Sequence, residues 1–322
     1  MNRGSEWRKW DLHIHTPGTA KNDQYGNSDD VWEKYIDALE KSDVKVFGIT
    51  DYFSMDNYYK VLQFQAEGRL DGKTLLPNIE MRITPVTKSG TAINIHAIFD
   101  PTLTKEEIER EFFGSLKMKS GDETYSCTRP QLLSFGRKLA NDNSYPENAA
   151  IKKAIGEFIV PFEELHDILS KKFFDNRVIV ALSGKSQDGL SGLLNTDCNT
   201  HTLRKQIGRM ADVILSSNAK DIAYFLGESK DTKETVIATY RSLKPCIIGS
   251  DAHSLDKVGV FPNDRITWIK ADPTFEGLKQ ILFEPKERVR ISDTMPDFKY
   301  DYNIIDHVVL NTAGVWNQTI PF

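Results

Sequence analysis

The first residues that could do chemistry are His13 and His15, in the run Asp11-Leu12-His13-Ile14-His15-Thr16. Successive side chains of a β-strand point to opposite faces, so the two imidazoles share one face and Leu12 and Ile14 take the other. Two imidazoles converging at the C-terminal end of a strand can grip a divalent cation. Hydrogen-bonded histidines with no ligand would give the same spacing. A second pair, Asp251 and His253 in Gly249-Ser250-Asp251-Ala252-His253, follows the apolar Cys246-Ile247-Ile248. Two independent pairs of this kind at strand ends are hard to explain as core packing.

Other strand ends supply suitable groups. One run closes with Asn78-Ile79-Glu80, another carries Ile93-Asn94-Ile95-His96, and a third ends in Thr50-Asp51. A buried carboxylate or imidazole costs free energy unless it is paired or metal-bound, so each is a candidate ligand. Asp51 could instead cap the following helix, and His96 could be a hydrogen-bonded core residue. Mixed imidazole and carboxylate ligation suits Zn²⁺, Mn²⁺ or Fe²⁺ and fits Mg²⁺ or Ca²⁺ poorly.

The elements that must position these residues recur as an apolar run, a turn and an amphipathic stretch. Residues 10–15, 44–51, 74–80, 92–99, 177–183, 212–216 and 245–250 read as strands buried on both faces. Residues 31–41 place Val31, Tyr35, Ile36 and Leu39 on one helical side, and 220–227 is a shorter case. Alternating strand and helix implies parallel βα units, and seven strands suggest a closed or nearly closed α/β barrel. In such a barrel the first and last strands are neighbours, so the two pairs would meet at the C-terminal face, where barrel active sites lie. Residues 102–176 break the rhythm with charged helical segments (105–113 and 147–170) and no convincing strand. They read as a helical insertion that either shapes substrate access or packs as an appendage. After 286–291 comes a polar linker, then 304–310 and 315–321, which alternate like an antiparallel hairpin.

The chain of 322 residues is long enough for one large domain or two ordinary ones. It has no apolar run long enough to span a membrane and no signal-peptide pattern, which points away from membranes. Its three widely spaced cysteines argue against a disulfide framework and for a reducing, cytoplasmic compartment. A net charge of −5 excludes whole-surface attraction to nucleic acid, although a local basic patch or bound metal could still hold phosphate.

The motifs DLHIHT, GITD, the Glu80 segment, NIHAIF and GSDAH resemble, in order, those of the PHP (polymerase and histidinol phosphatase) superfamily, over roughly residues 8–292. The resemblance implies a distorted seven-stranded β/α barrel and metal-dependent phosphoester hydrolysis. It implies that His13, His15, Glu80 and Asp251 hold one metal, that Glu80 bridges to a second bound also by His96, and that His253 belongs to a third position. The family commonly has His where this chain has Tyr52, and a His ending the fifth strand where this chain has Leu182-Ser183-Gly184. The third position is then weak or empty, and one full metal position and a partial second follow, the second short of a ligand unless water, substrate or His201 supplies it.

Gly184-Lys185-Ser186 ends like a nucleotide-binding phosphate loop, but that loop needs Gly where Ile179 stands, so no ATP site follows. Lys185 could reach a substrate phosphate or be a solvated loop lysine. His166, on a helical pattern within the insertion, and His307, on the terminal hairpin, read as ordinary. Lys171-Lys172 and Arg204-Lys205 with Arg209 could track a phosphate backbone or be solvated helix faces.

Residues 304–322 resemble the opening hairpin of ABC- or SMC-type ATPase domains. PHP barrels ahead of such ATPases resemble the TrlF-like group, including PHP–ATPase proteins of antiphage defence. That implies a barrel domain over 1–292 and the edge of an ATPase domain over 293–322. The expected function is a metal-dependent phosphodiesterase, most simply a DNA nuclease, with Asp51 as base or orienting group beside metal-bound water, nucleic acid and the ATPase domain as partners, and possible homo-oligomers. Hydrolysis of a small phosphoester or nucleotide, and a catalytically degenerate, metal-stabilised interaction module, are the alternatives.

Overall fold

A computed structural model describes residues 5–193, 198–297, 307–312 and 316–321. Its main feature is a nine-stranded sheet curled into a nearly closed barrel. The strands are β1 (Trp7–Ile14), β2 (Val46–Tyr52), β3 (Thr74–Val86), β4 (Ala92–Phe99), β7 (Val178–Ser183), β8 (Val213–Leu215), β9 (Cys246–Ile247), β10 (Ile266–Lys270) and β11 (Val289–Ser292), ordered β11-β10-β1-β2-β3-β4-β7-β8-β9. Two short strands, β5 (Lys117–Ser120) and β6 (Glu123–Ser126), form a separate hairpin. Among the described residues, no helix is long and apolar enough to cross a membrane.

Two features depart from an all-parallel barrel of seven strands. First, β4 runs antiparallel to both β3 and β7. Only residues 87–91 separate β3 from β4, far fewer than the dozen or so a parallel crossover needs. Second, β10 and β11 were not anticipated: β10 pairs antiparallel with the N-terminal half of β1, and β11 pairs with β10.

The barrel interior is filled by Trp10, Leu12, Val46, Leu76, Ile98, Ile179, Ala181, Val213 and Ile247, all buried. Helices pack outside. In α1 (Val31–Lys41), Val31, Tyr35, Ile36 and Leu39 face the outer core. α2 (Asp56–Ala66) buries Tyr58 and Val61. The 102–176 insertion shares this outer core through Phe112, Phe158 and Phe174, with Phe99 of β4 packed against Phe112 and Phe174. It contains α3 (Lys105–Ile108), a π-helical turn at 109–113, the β5–β6 hairpin, α4 (Arg129–Ala140), α5 (Glu147–Glu157) and α6 (Phe162–Leu169). The single helix read over 147–170 is thus two, divided ahead of Pro161, since the residue before a proline is driven out of helical geometry. α7 (Cys198–Met210), α8 (Ala219–Phe225), α9 (Lys233–Tyr240), α10 (Phe275–Gln280) and α11 (Pro285–Arg288) follow. β12 (His307–Thr312) pairs antiparallel with β13 (Trp316–Pro321); residues 304–306 and 313–315 of the expected hairpin lie outside the described residues.

The last inner strand meets the first at a seam. Asp251 N–H donates to His13 O (2.8 Å) and His15 N–H to Ala252 O (3.1 Å). The Tyr25 hydroxyl lies within hydrogen-bond distance of both His15 O (2.8 Å) and Ala252 O (3.0 Å). Buried Asp11 accepts from Ser250 N–H (2.9 Å) and His13 N–H (3.3 Å). Gly249 lets the two backbones approach this closely, because a Cβ there would stand 2.6 Å from His13 Cβ and 2.7 Å from its backbone nitrogen. Gly249→Ala should therefore cost about 1–3 kcal/mol of stability by overpacking and also lower metal uptake, read by urea unfolding and elemental analysis. A stable variant with unchanged metal content would show that the seam does not set the site.

Candidate metal centre

A change of register in β1 places the first pair. β1 pairs with β2 through Trp10 and Asp11, but the pairing shifts before Ile14. Trp10 and Leu12 fill the interior, and beyond the shift Ile14 joins the outer core while His13 and His15 turn to the mouth. From β3, Glu80 stands in register with Tyr52 of β2 and His96 of β4, so all three share the inward face.

Two carboxylate oxygens gather the imidazoles. Glu80 Oε2 lies 3.1 Å from His13 Nε2, 3.2 Å from His15 Nε2 and 3.9 Å from His96 Nε2. Asp251 Oδ1 lies 3.2, 3.6 and 3.5 Å from Nε2 of His13, His15 and His253. His13 Nε2 and His15 Nε2 are 3.2 Å apart. His253 also stacks on His15, with ring centroids 4.1 Å apart. Ligands of a tetrahedral ion with bonds near 2.05 Å are separated by roughly 3.3 Å, the spacing found here. Two sets of possible ligand atoms lie close enough for one ion each: His13, His15 and Asp251, and His13, Glu80 and His96.

The donor chemistry fits a cation. Asn78 Nδ2 donates to Leu12 O (2.8 Å) and Thr50 Oγ1 (3.0 Å), which turns Asn78 Oδ1 toward His96 Nδ1 at 3.1 Å. That contact requires the His96 proton on Nδ1, assigned here from the hydrogen-bond network. Its Nε2 is then a buried lone pair without a hydrogen-bond partner, facing the Glu80 carboxylate. Two acceptors so placed call for a cation between them. Glu80 Oε1 is held separately by Asn94 Nδ2 (3.0 Å) and lies 3.0 Å from Arg82 Nη1.

The side chains' own charges divide: His15 and His96 are ready to ligate, whereas His13 must first lose a proton. Burial would raise the Glu80 pKa, but hydrogen bonds to His13 and His15 hold it well below the usual carboxylate range. Burial would lower His13, yet Asp251 and Glu80 push it up to about 9. Burial dominates at His15 and His96 and favours their neutral, ligand-competent form. Against burial, His13 and a hydrogen bond with His253 lower Asp251. Asp251 also adopts a positive φ of 52°, which aspartate tolerates better than most residues.

The remaining candidates divide. Lys185 lines the same cleft as His13, Glu80, Asp251 and His253. Asp51 is not brought to the group. Residues paired in register face the same way, so Tyr52 sits with Glu80 and Asp51 sits with Ile79. Tyr52 stacks on His15 at 4.8 Å, whereas Asp51 accepts a hydrogen bond from Tyr52 N–H and feels Asp56 and Lys152 instead. His201 opens on a separate depression with Arg204, Lys205, Tyr224 and Tyr240. Ser183 donates to Asp188 (2.9 Å). His166 is exposed beside Asp167, and Arg209 is spent on Thr239 O. The side chains of Cys198 and His307 lie outside the described residues; Cys127 and Cys246 are free and buried. Sequence reasoning missed Asn78, Asn94 and Arg82, although their even spacing from Glu80 and His96 on strands was a usable signal.

No protein-family model and no curated protein matches the chain. Among solved structures it is similar to PsfC from Pseudomonas syringae PB-5123, at 14% identity and a TM-score of 0.39 over 85% of this chain and 88% of the other. It is also similar to a candidate metal-dependent phosphoesterase from Bifidobacterium adolescentis, at 15% identity and a TM-score of 0.43 over 86% and 96%. These are distant likenesses.

Burial raises the Asp51 pKa to about 8, far above an unfolded value near 3.9. Between those values the native state holds a proton that the unfolded chain has lost, so stability falls as pH rises through the window and levels off above 8. Asp51→Asn should flatten that decline, leaving the variant about 1 kcal/mol or more above wild type by pH 8 with metal content unchanged. Unfolding curves at pH 5 and pH 8 would read this. Loss of metal in the variant would instead place Asp51 in the centre.

Proposed function

We propose that this chain is a metal-dependent phosphoester hydrolase that acts on the diester bonds of nucleic acid, most simply DNA. The observation that carries the reading is the convergence of four imidazoles on one oxygen each of Glu80 and Asp251, inside an open cleft of about 650 Å³. His13, His15 and Asp251 would hold one Zn²⁺, Mn²⁺ or Fe²⁺, and Glu80 with His96 would hold part of a second. When bound, such an ion lowers the pKa of a coordinated water and neutralises charge on phosphoryl oxygens.

Three observations favour this reading over the alternatives. A structural metal site is closed, whereas a catalytic one keeps a position open; the Asp251 side chain is 50% exposed and faces the cleft. No residue of the 102–176 insertion lines the cleft, so the mouth is not capped in the way a small-molecule site would be. Arg82 and Lys185 stand on its walls, which supplies the local positive charge that the acidic chain lacks as a whole. Hydrolysis forms a bond from water oxygen to phosphorus, breaks the bond to the leaving oxygen and delivers a proton to that oxygen. Tyr52, kept protonated by burial, is a proton-bearing group at the cleft wall. The β12–β13 ladder is compatible with the opening of an ATPase domain, which would make this the effector part of an ATPase-coupled defence protein.

Wild-type protein with Mn²⁺ or Zn²⁺ should cleave bis-p-nitrophenyl phosphate and plasmid DNA. His13→Ala and Asp251→Ala should each lose at least roughly 100-fold of both activities, since an ion contributes several kcal/mol to the transition state. Lys185→Gln should impair DNA cleavage more than cleavage of the small diester. Cleavage of a small monoester alone would favour the small-molecule reading, and bound metal with no hydrolysis would sink the enzyme reading.

A further inference from the structure

We propose that Arg82 and Lys21 form an anion clamp that holds the reacting phosphoryl group beside the metal centre, a reading that rests on the hydrolase assignment above. Arg82 follows Glu80 by two residues on β3 and therefore shares its face. Its Nη1 lies 3.0 Å from Glu80 Oε1, yet that nitrogen is buried without a well-formed hydrogen bond. Among the described residues no other guanidinium nitrogen of Arg82 makes one either. Five donors in a planar fork are thus held at the cleft wall largely unspent.

Lys21, in the segment between β1 and α1, meets that wall only through Tyr52. Its Nζ lies 5.4 Å from the centre of the Tyr52 ring, whose side chain lines the cleft. Among the described residues, no carboxylate stands within ion-pair distance of it. Burial and then the charge of Arg82 lower its pKa, while Glu80 and Glu157 of α5 act in the opposite sense. Two cations that repel one another are therefore held near Glu80, already engaged by histidines, with Glu157 as the other carboxylate acting on Lys21. That is a costly arrangement unless an anion joins it.

The insertion sets the position of the clamp without entering the cleft. Val160 N–H donates to Arg82 O (2.9 Å), and Thr84 N–H donates to Val160 O (3.0 Å), so the chain after α5 is laced to the end of β3. The chemistry on offer is a planar fork and a point charge beside a metal centre. It matches a tetrahedral phosphoryl group with two non-bridging oxygens for the fork, as a phosphodiester presents.

The test is calorimetric titration of inorganic phosphate into the Mn²⁺-loaded full chain, with metal content measured on the same samples. Arg82→Gln and Lys21→Gln should each weaken phosphate binding roughly tenfold or more, with metal content unchanged, and Arg82→Lys should fall between. Phosphate affinity untouched by both glutamine variants would overturn the clamp. So would loss of metal in Arg82→Gln together with normal phosphate binding in Lys21→Gln, because Arg82 would then only balance Glu80. Failure of the hydrolase reading looks different: phosphate binding would depend on both cations while wild type cleaved no ester.

Discussion

A carboxylate buried at the mouth of the barrel is the constraint on which the rest of this structure depends. Glu80 is 2% exposed and stays ionised. Burying such a charge costs several kcal/mol unless it is matched. Each oxygen has its own partners: Asn94 and Arg82 on one side, three imidazoles on the other. The imidazoles cannot all donate to it, because Asn78 fixes the His96 proton on the far nitrogen. Burial keeps His15 and His96 neutral, and a divalent cation that displaces the proton of His13 would complete the set.

That requirement reaches back into the fold. The candidate ligands come from both ends of the sequence, Asp251 being joined to His13 across the seam. The seam is fastened independently of any ligand by Asp11, by Tyr25 and by the small size of Gly249. Beneath the ligands, Thr50 and Asn78 form a polar layer, and beneath them the apolar interior begins. The layering lets strands rather than loops hold most candidate ligand atoms in place, as a preorganised centre would require.

Much of this was legible because strand chemistry is local. Even spacing on apolar runs brought out both paired motifs, Glu80 and His96, and all seven inner strands have counterparts in the sheet. What stayed hidden depended on pairing or length. Asp51 was read as site-facing, but cross-strand register with Glu80 gives that face to Tyr52. Reading the third strand as ending at Glu80, when it continues to Val86, concealed Arg82 and the short turn that forces β4 to run antiparallel. The β1 register shift, Asn78's role and the nearness of Lys21 arise from tertiary contacts with no local signature.

The most direct test of the central claim is a crystal structure of Mn²⁺-soaked protein with anomalous scattering recorded at the manganese edge. An anomalous peak within roughly 2.0–2.3 Å of His13 Nε2, His15 Nε2 and an Asp251 oxygen is the predicted result. Full soaking with no peak there, and the histidines still hydrogen-bonded to Glu80 and Asp251, would contradict it. The mouth of the barrel would then be a self-sufficient hydrogen-bond network.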